Sequence, residues 1–488
     1  TYDTIEWLIH NTYNNGNVGT WGISYDGFYA TMTASSNHPA LKAVSPQAPV
    51  TDWFRGDDRH HNGAFTLLQT TNFLPRLEGR HMGKGVMNQI VKNDVYTDFL
   101  ALGTFKNVDD LVRDTTQTLW NDIKNHPDFD DFWKERDART SCYNLKPAIL
   151  VVGGLYDSED CYGAWNLYKA IKEQSPDTDL YLTFGPWWHG AWTVRGFQGF
   201  GNLYFGKSTS AYYMDKIEYP FFRYFLEGKG EKPKHKVNIF HTGENEWKTY
   251  NEWPVQKTAG TPYYIHKNGS VSTQAPAEQE SYSEYISDMS HPVPYTANPT
   301  TYRTKEFMVD DQRFATSRPD VITFMTEPLC DTLTLVGPIE VELMTAISST
   351  DADFMVKVID VYPEKFEYSK TARSYLKSDY PMSGYQLMIR GELFRGRFRK
   401  GFDNPLPFKP EEITPVNYTL YDVAHTFLPG HRLMIQIQSS WFPIIDRNPQ
   451  RFIDTYHCTV EDFVMKQKIK IYHQQGAASR VILPVVKK

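Results

Sequence analysis

Gly22-Ile23-Ser24-Tyr25-Asp26-Gly27 is the stretch from which the fold of this chain can be read. It follows the apolar run Val18-Gly19-Thr20-Trp21 and precedes Phe28-Tyr29-Ala30-Thr31-Met32, so its pattern predicts the corner between a strand and a helix. A serine at such a corner can be a nucleophile. The turn holds the residue in a strained backbone conformation that lifts Oγ clear of the sheet, and small neighbours, here Gly22 and Gly27, let strand and helix pack closely around it. The spacing departs from G-x-S-x-G because Asp26 stands where the second glycine would be. A G-x-S-x-x-G match arises by chance in roughly one chain in ten of this length, so the motif needs partners elsewhere.

Working outward, Asp3-Thr4-Ile5-Glu6 reads as a capping box, with Ile5, Leu8 and Ile9 on one helical face. After the corner, Leu41-Lys42-Ala43-Val44 predicts a strand closed by Pro46 and Pro49. From about Trp53 to Ser141 polar, aromatic-rich loops alternate with helical patterns such as Asp109-Asp110-Leu111-Val112, which suggests a helical insertion. The continuous apolar run Ala148-Ile149-Leu150-Val151-Val152 suits a strand covered on both faces, as in a parallel sheet. A helix at about Tyr162 to Gln174, a strand at Leu180 to Phe184 and a helix at about Ser208 to Leu226 continue the doubly wound α/β rhythm. Beyond Lys234 short alternating segments take over, among them Val237-Asn238-Ile239-Phe240, Tyr263-Tyr264-Ile265, Val341-Glu342-Leu343-Met344, Phe354 to Val358 and Leu433 to Ile437. They predict an antiparallel sandwich or jelly roll. The expected organisation is a multidomain one: an α/β-hydrolase domain over 1–54 and 142–234, a helical cap over 55–141, and a jelly-roll β-sandwich over 235–488.

Composition sets bounds on function. A chain of 488 residues with 51 basic and 58 acidic side chains, net charge −7, has no basic run and is a poor match for nucleic acid. No stretch approaches the roughly 20 apolar residues of a membrane helix. The aromatic share of 15 % favours clefts and β packing over a plain helical bundle. Cys142, Cys161, Cys330 and Cys458 are widely spaced and suggest neither a zinc site nor a disulfide framework.

A nucleophilic serine needs a base, and the base needs an acid that fixes its tautomer. In α/β hydrolases the chain order is Ser, Asp or Glu, then His, each in a loop after a strand. Asp157 meets that requirement in Gly153-Gly154-Leu155-Tyr156-Asp157, and His189 meets it in Gly185-Pro186-Trp187-Trp188-His189-Gly190. The pair His60-His61 beside Asp57-Asp58 invites a metal reading, but no further ligand pair stands at a suitable spacing. Neither a metal nor another cofactor is expected.

Gly-x-Ser-Tyr-x-Gly, Tyr-Asp after a glycine pair, and Gly-Pro-Trp-x-His resemble the signature of the cocaine esterase and X-Pro dipeptidyl-peptidase group of serine hydrolases, and within it that of the α-amino acid ester hydrolases. Asp157-Ser158-Glu159-Asp160 is similar to the family segment in which the triad Asp precedes two members of a carboxylate cluster, and Asp58 of Gly56-Asp57-Asp58 matches the third. The likeness continues through His241-Thr242-Gly243-Glu244-Asn245 to the end of the chain. It implies a hydrolase domain, a helical cap and a jelly roll; acyl transfer through Ser24; and substrates that are small esters or amides with a free α-amino group, β-lactam side chains included. It also implies a homotetramer and a periplasmic or secreted location.

The carboxylates have a physical rationale. An ammonium beside a carboxylate about 4 Å away gains about 4 kcal/mol at an effective dielectric near 20, before desolvation. Three carboxylates together repel, so at least one pKa should rise and amine binding should depend on pH. The backbone N–H of Tyr25 is expected to supply one oxyanion donor. By resemblance the second is a tyrosine hydroxyl from an earlier strand loop, which implies that sheet strands preceding Thr1 belong to a longer protein or that another segment covers the open edge at Val18 to Ser24. The competing readings are an X-Pro dipeptidyl-peptidase-like peptidase, a glutaryl-type acylase, and a jelly-roll binding module carrying an inactive hydrolase remnant.

Overall fold

The computed structural model describes residues 1–78, 90–112, 118–255 and 258–487. Helix α1 (Tyr2–Asn11) leads into β1 (Val18–Ser24), α2 (Tyr25–Ala34) and β2 (Leu41–Pro49). The expected capping box does not form: the helix already starts at Tyr2 on an N-cap, Thr1, that makes no side-chain bond, and Glu6 instead meets His38 Nε2 at 2.9 Å. Strand β2 also runs through the prolines thought to end it. Its ladder to the next strand of the sheet is made at Ala43, Val44 and Gln47, and beside Pro46 the Ser45 hydroxyl donates to Leu150 O at 2.9 Å, so the missing proline N–H is bridged by a side chain.

A two-residue hairpin, β3 (His60–His61) with β4 (Ala64–Phe65), opens the mostly helical stretch, which holds α3 (Leu67–Glu78) and shorter helices at Val95–Leu102, Phe105–Val112, Thr118–Asn125 and Asp131–Lys134. The α/β rhythm resumes with β5 (Ala148–Gly154), the helix Cys161–Gln174 and β6 (Leu180–Gly185). A small ribbon, β7 (Gly199–Phe200) with β8 (Leu203–Tyr204), precedes a helical run at Thr209–Tyr213 that passes through a π turn at Met214–Glu218 into Tyr219–Glu227.

Two strands expected in the sandwich belong to the α/β sheet. β9 (Val237–His241) pairs parallel with β6, and β10 (Glu246–Tyr250) returns antiparallel on β9, giving the order β1-β2-β5-β6-β9-β10 among the described residues. Every residue of β9 is buried, Asn238 included, which is the mark of a strand covered on both faces and not of an alternating sandwich strand. The boundary at 234/235 therefore moves past Tyr250. Among the described residues β1 pairs with β2 alone, and Trp21 on it is 58 % exposed.

The remaining chain forms two antiparallel sheets. One contains β11 (Thr258–Ile265), β12 (Val271–Ser272), β13 (Tyr282–Asp288), β15 (Leu333–Ile347), β18 (Thr414–Phe427), β20 (Lys466–Gln474), β21 (Ala477–Ala478) and β22 (Arg480–Val486). The other is β14 (Ile322–Met325), β19 (Arg432–Gln438), β16 (Asp353–Val361) and β17 (Gln386–Arg395), in that spatial order. The two halves are joined at depth. Thr242, just past β9, exchanges backbone bonds with Ala424 and Thr426 of β18, and the Arg390 guanidinium donates to Leu155 O at 3.0 Å. One hydrophobic cluster runs from Val152 and Trp187 to Ile359 and Ile435.

Candidate active site

Ser24 ends β1 and opens α2 with φ 67° and ψ −124°, the strained corner its sequence setting requires. Both flanking glycines are needed there. A Cβ on Gly22 would lie 2.4 Å from Asp26 O, and one on Gly27 would lie 2.7 Å from Gln47 O and 3.0 Å from Pro49 Cα. Tyr25 N–H is the first amide of α2, where helical geometry leaves the donor without an intrahelical partner; its placement suits an oxyanion donor.

Asp157 and His189 sit in adjacent loops after β5 and β6, tied together by Leu155 N to Gly185 O (2.8 Å) and Tyr156 N to Trp187 O (3.1 Å). The glycine pair permits this approach: a Cβ on Gly154 would stand 2.3 Å from Trp187 O. His189 Nδ1 donates to Asp157 Oδ2 at 2.8 Å, while Asp157 Oδ1 accepts from the N–H groups of Glu159 and Asp160. The imidazole is therefore fixed with Nε2 as its working nitrogen. Ser24 Oγ, however, donates to Asp160 Oδ2 at 3.4 Å and not to His189.

The carboxylates converge on the same place. His189 Nε2 lies 3.8 Å from Glu159 Oε2 and 3.9 Å from Asp160 Oδ2. Asp160 is wholly buried, and its Oδ1 has no partner among the described residues. Burial, and then the charges of Asp58, Asp57, Asp157 and Glu159, push its carboxyl well above the ordinary range. Asp58 is buried, with φ 53°, and accepts from Gln69 Nε2 at 2.9 Å. Its neighbour Asp57 is spent on structure, accepting from Thr51 N and Oγ1, Asp52 N and Gly163 N at 2.7 to 3.0 Å. Burial works against a charged His189, but Asp157, Glu159 and Asp58 outweigh it and raise the imidazole to about 9. A chamber of about 20 Å³ is bounded by Asp58, Gln69, Glu159, Arg303 and Trp441, room for one group the size of water or ammonium. A larger cavity of about 280 Å³, lined by Tyr25, Phe28, Val50 and Trp53 together with Glu135, Arg136 and Asp137, adjoins the corner.

His60 and His61 serve the packing. His60 is held between Trp53 O (2.9 Å) and Tyr456 Oη (2.7 Å), with burial lowering its pKa to about 3, and His61 Nδ1 meets Glu392 Oε2 at 3.0 Å.

Residues 1–191 match the X-Pro dipeptidyl-peptidase (S15 family) domain, and residues 220–482 match the X-Pro dipeptidyl-peptidase C-terminal non-catalytic domain. The chain belongs to this family. It is a serine hydrolase of the S15 group, 26 % identical to the cocaine esterase of Rhodococcus sp. (strain MB1 Bresler) over all of this chain and 83 % of that protein. Among solved structures, an α-amino acid ester hydrolase shares 33 % identity with a TM-score of 0.91, over 99 % of this chain and 79 % of the other. An aminopeptidase from a marine sediment archaeon, Thaumarchaeota archaeon, shares 32 % identity with a TM-score of 0.92, over 100 % and 79 %.

The S15 chain also brings to the site residues that motif reading missed. Arg303 Nη1 donates to Ser158 Oγ at 2.8 Å and Nη2 pairs with Glu159 Oε1, so one cluster carboxylate is already paired from the C-terminal half; against burial, His189 and then Arg303 hold Glu159 below its usual range. Arg303 lies in an irregular loop 144 residues from Glu159, where no local pattern marks it. Gln69 was open to detection: on α3, it follows the Gly-Asp-Asp turn closely enough to face back on Asp58.

Proposed function

We propose that the chain hydrolyses, and can transfer, the acyl group of α-amino acid esters or amides through an acyl-enzyme on Ser24. The observation that carries this reading is the contact of Ser24 Oγ with Asp160 inside a cluster formed by buried Asp58 and Asp160 and half-buried Glu159. An ester without charge gains nothing from such a cluster; a substrate with an α-ammonium brings the missing charge next to the nucleophile.

In this mechanism the ammonium takes Asp160 and Asp58, and Ser24 Oγ turns from Asp160 to His189 Nε2. His189 removes the hydroxyl proton as Oγ attacks the carbonyl, Asp157 orients the imidazolium, and Tyr25 N–H stabilises the oxyanion. His189 then gives its proton to the leaving group, and water or an acceptor amine resolves the acyl-enzyme on the same base. On this reading 55–141 serves as a helical cap over the site and the C-terminal sheets as a jelly roll, and β-lactam side chains are among the acyl groups accepted.

Comparing phenylglycine methyl ester with its N-acetyl form tests the reading: a much higher kcat/KM for the free amine is expected, and equal rates would refute it. Fluorophosphonate labelling that vanishes in Ser24→Ala, with kcat lowered by about four orders of magnitude or more, is the expected signature of the nucleophile. Labelling that persists in that variant would place the nucleophile elsewhere.

A further inference from the structure

One buried cation next to this site has no hydrogen-bonded counter-charge among the described residues. Arg59 directly follows Asp58 and is wholly buried, yet its Nε, Nη1 and Nη2 have no hydrogen-bond partner among the described residues. Its neighbours are rings: the guanidinium stands 5.6 Å from the centroid of Trp53 and 5.9 Å from that of Phe73. The Trp53 indole Nε1 is buried and unpartnered too. Four buried nitrogen donors thus meet no acceptor among the described residues.

Other buried arginines have at least a backbone acceptor, as Arg390 has in Leu155 O and Arg447 in Met289 O, and several arginines meet carboxylates. Arg395 is shared between Asp353 and Asp446, and Arg139 between Asp52 and Asp137. Arg59 also lies close to the corner. Burial, then Tyr29, hold the Tyr25 phenol above its usual range, and Arg59 opposes them. The Tyr25 ring is 6.2 Å from Trp53, and both rings line the 280 Å³ cavity. The chain therefore places an unmatched cation on one residue and an acidic chamber on the residue before it.

We propose that Arg59 and the Trp53 indole N–H form a carboxylate-binding subsite, so that the preferred substrate carries both an α-ammonium and a carboxylate. The inference rests on the amine recognition proposed above and extends it. The guanidinium fork fits a carboxylate with two parallel N–H···O bonds, and the cation–π contacts with Trp53 and Phe73 keep the fork in place while it waits. Two sources supply such an anion. In a free dipeptide it belongs to the leaving amino acid; in a glutamyl or aspartyl ester it belongs to the acyl side chain.

The test compares kcat/KM within matched pairs, Phe-Gly against Phe-glycinamide for the first source and glutamic acid α-methyl ester against glutamine methyl ester for the second. One pair should favour the carboxylate by about tenfold or more, the order expected of a charge-assisted hydrogen bond, and Arg59→Gln should bring that ratio near one. Ratios near one for both pairs in the unmodified enzyme, with free phenylglycine ester still outpacing its N-acetyl form, overturn the subsite and leave amine recognition standing. Equal rates for free and acetylated esters overturn amine recognition, and the carboxylate ratios then decide for Arg59 alone. Thermal denaturation guards against a purely structural role. Acetate should raise the melting temperature over chloride at equal ionic strength in the unmodified enzyme and not in Arg59→Gln. A variant that melts lower while acetate has no effect on either protein marks Arg59 as a clamp on the two rings and refutes the subsite.

Discussion

If the carboxylates around His189 hold its imidazole at about 9, a substrate without an amino group meets a base that is protonated at neutral pH. The rise from 6.5 to about 9 corresponds to about 3 kcal/mol of preference for the imidazolium, and at pH 7 about one enzyme molecule in a hundred has Nε2 free. For the phenylacetate methyl ester, which lacks the amine, kcat/KM should climb with pH through about 9 and level off above it, since the active form is the deprotonated one. The phenylglycine ester should behave differently. Its ammonium, seated among Asp58, Glu159 and Asp160, cancels part of the field that stabilises the imidazolium, so the ascending limb moves down toward 6.5. A descending limb follows near 8, where an α-amino group of about that pKa loses its proton and its claim on the carboxylates. The assay is an initial-rate pH profile for the two esters at constant ionic strength. An ascending limb near 6.5 for both would show that the carboxylates do not act on the base, and the reasoning would fail.

Further outcomes follow from the same geometry. Asp58→Asn should raise KM for the free-amine ester by about tenfold while moving KM for the blocked ester no more than about twofold, measured by steady-state kinetics. Arg303→Met strips Glu159 of its cation; KM for the amino ester should fall several-fold while the melting temperature drops, because Glu159 is left buried and unpaired. An unchanged KM would take Glu159 out of substrate binding. Gly27→Ala forces a Cβ to 2.7 Å from Gln47 O, a backbone atom with nowhere to go, and should lower stability by about 1–3 kcal/mol in urea denaturation and remove most esterase activity. Wild-type activity in that variant would mean that the corner tolerates a wider strand-helix gap.

The residues most legible in the sequence were those tied to backbone geometry. Ser24, Asp157 and His189 each stand in a turn after a parallel strand, fully buried for β5 and β6 though not for β1, and the glycines that shape those turns are visible as letters. Asp58, Glu159 and Asp160 came from resemblance, and the structure brings all three to the nucleophile's surroundings. What stayed hidden depends on long-range contact. β9 alternates Val237, Ile239 with Asn238 and so imitates a sandwich strand, although its neighbours in space cover both faces. Pro46 looks like a strand breaker until the Ser45 hydroxyl is seen reaching Leu150 O. Arg303 and Arg59 have ordinary local contexts; only their partners, or the absence of partners among the described residues, give them meaning.

The acidic chamber is walled from both halves of the chain, with Arg303, Trp441 and Glu392 facing Asp58 and Glu159 across the junction that Thr242 and Arg390 fasten. If the chamber receives the substrate's ammonium as proposed above, a chimera that grafts the C-terminal sheets of one relative onto the hydrolase half of another should show a changed substrate preference with its catalytic residues untouched. Selection for altered acyl preference can therefore act on loops more than a hundred residues from the nucleophile, and libraries confined to the α/β half would leave those positions unsampled.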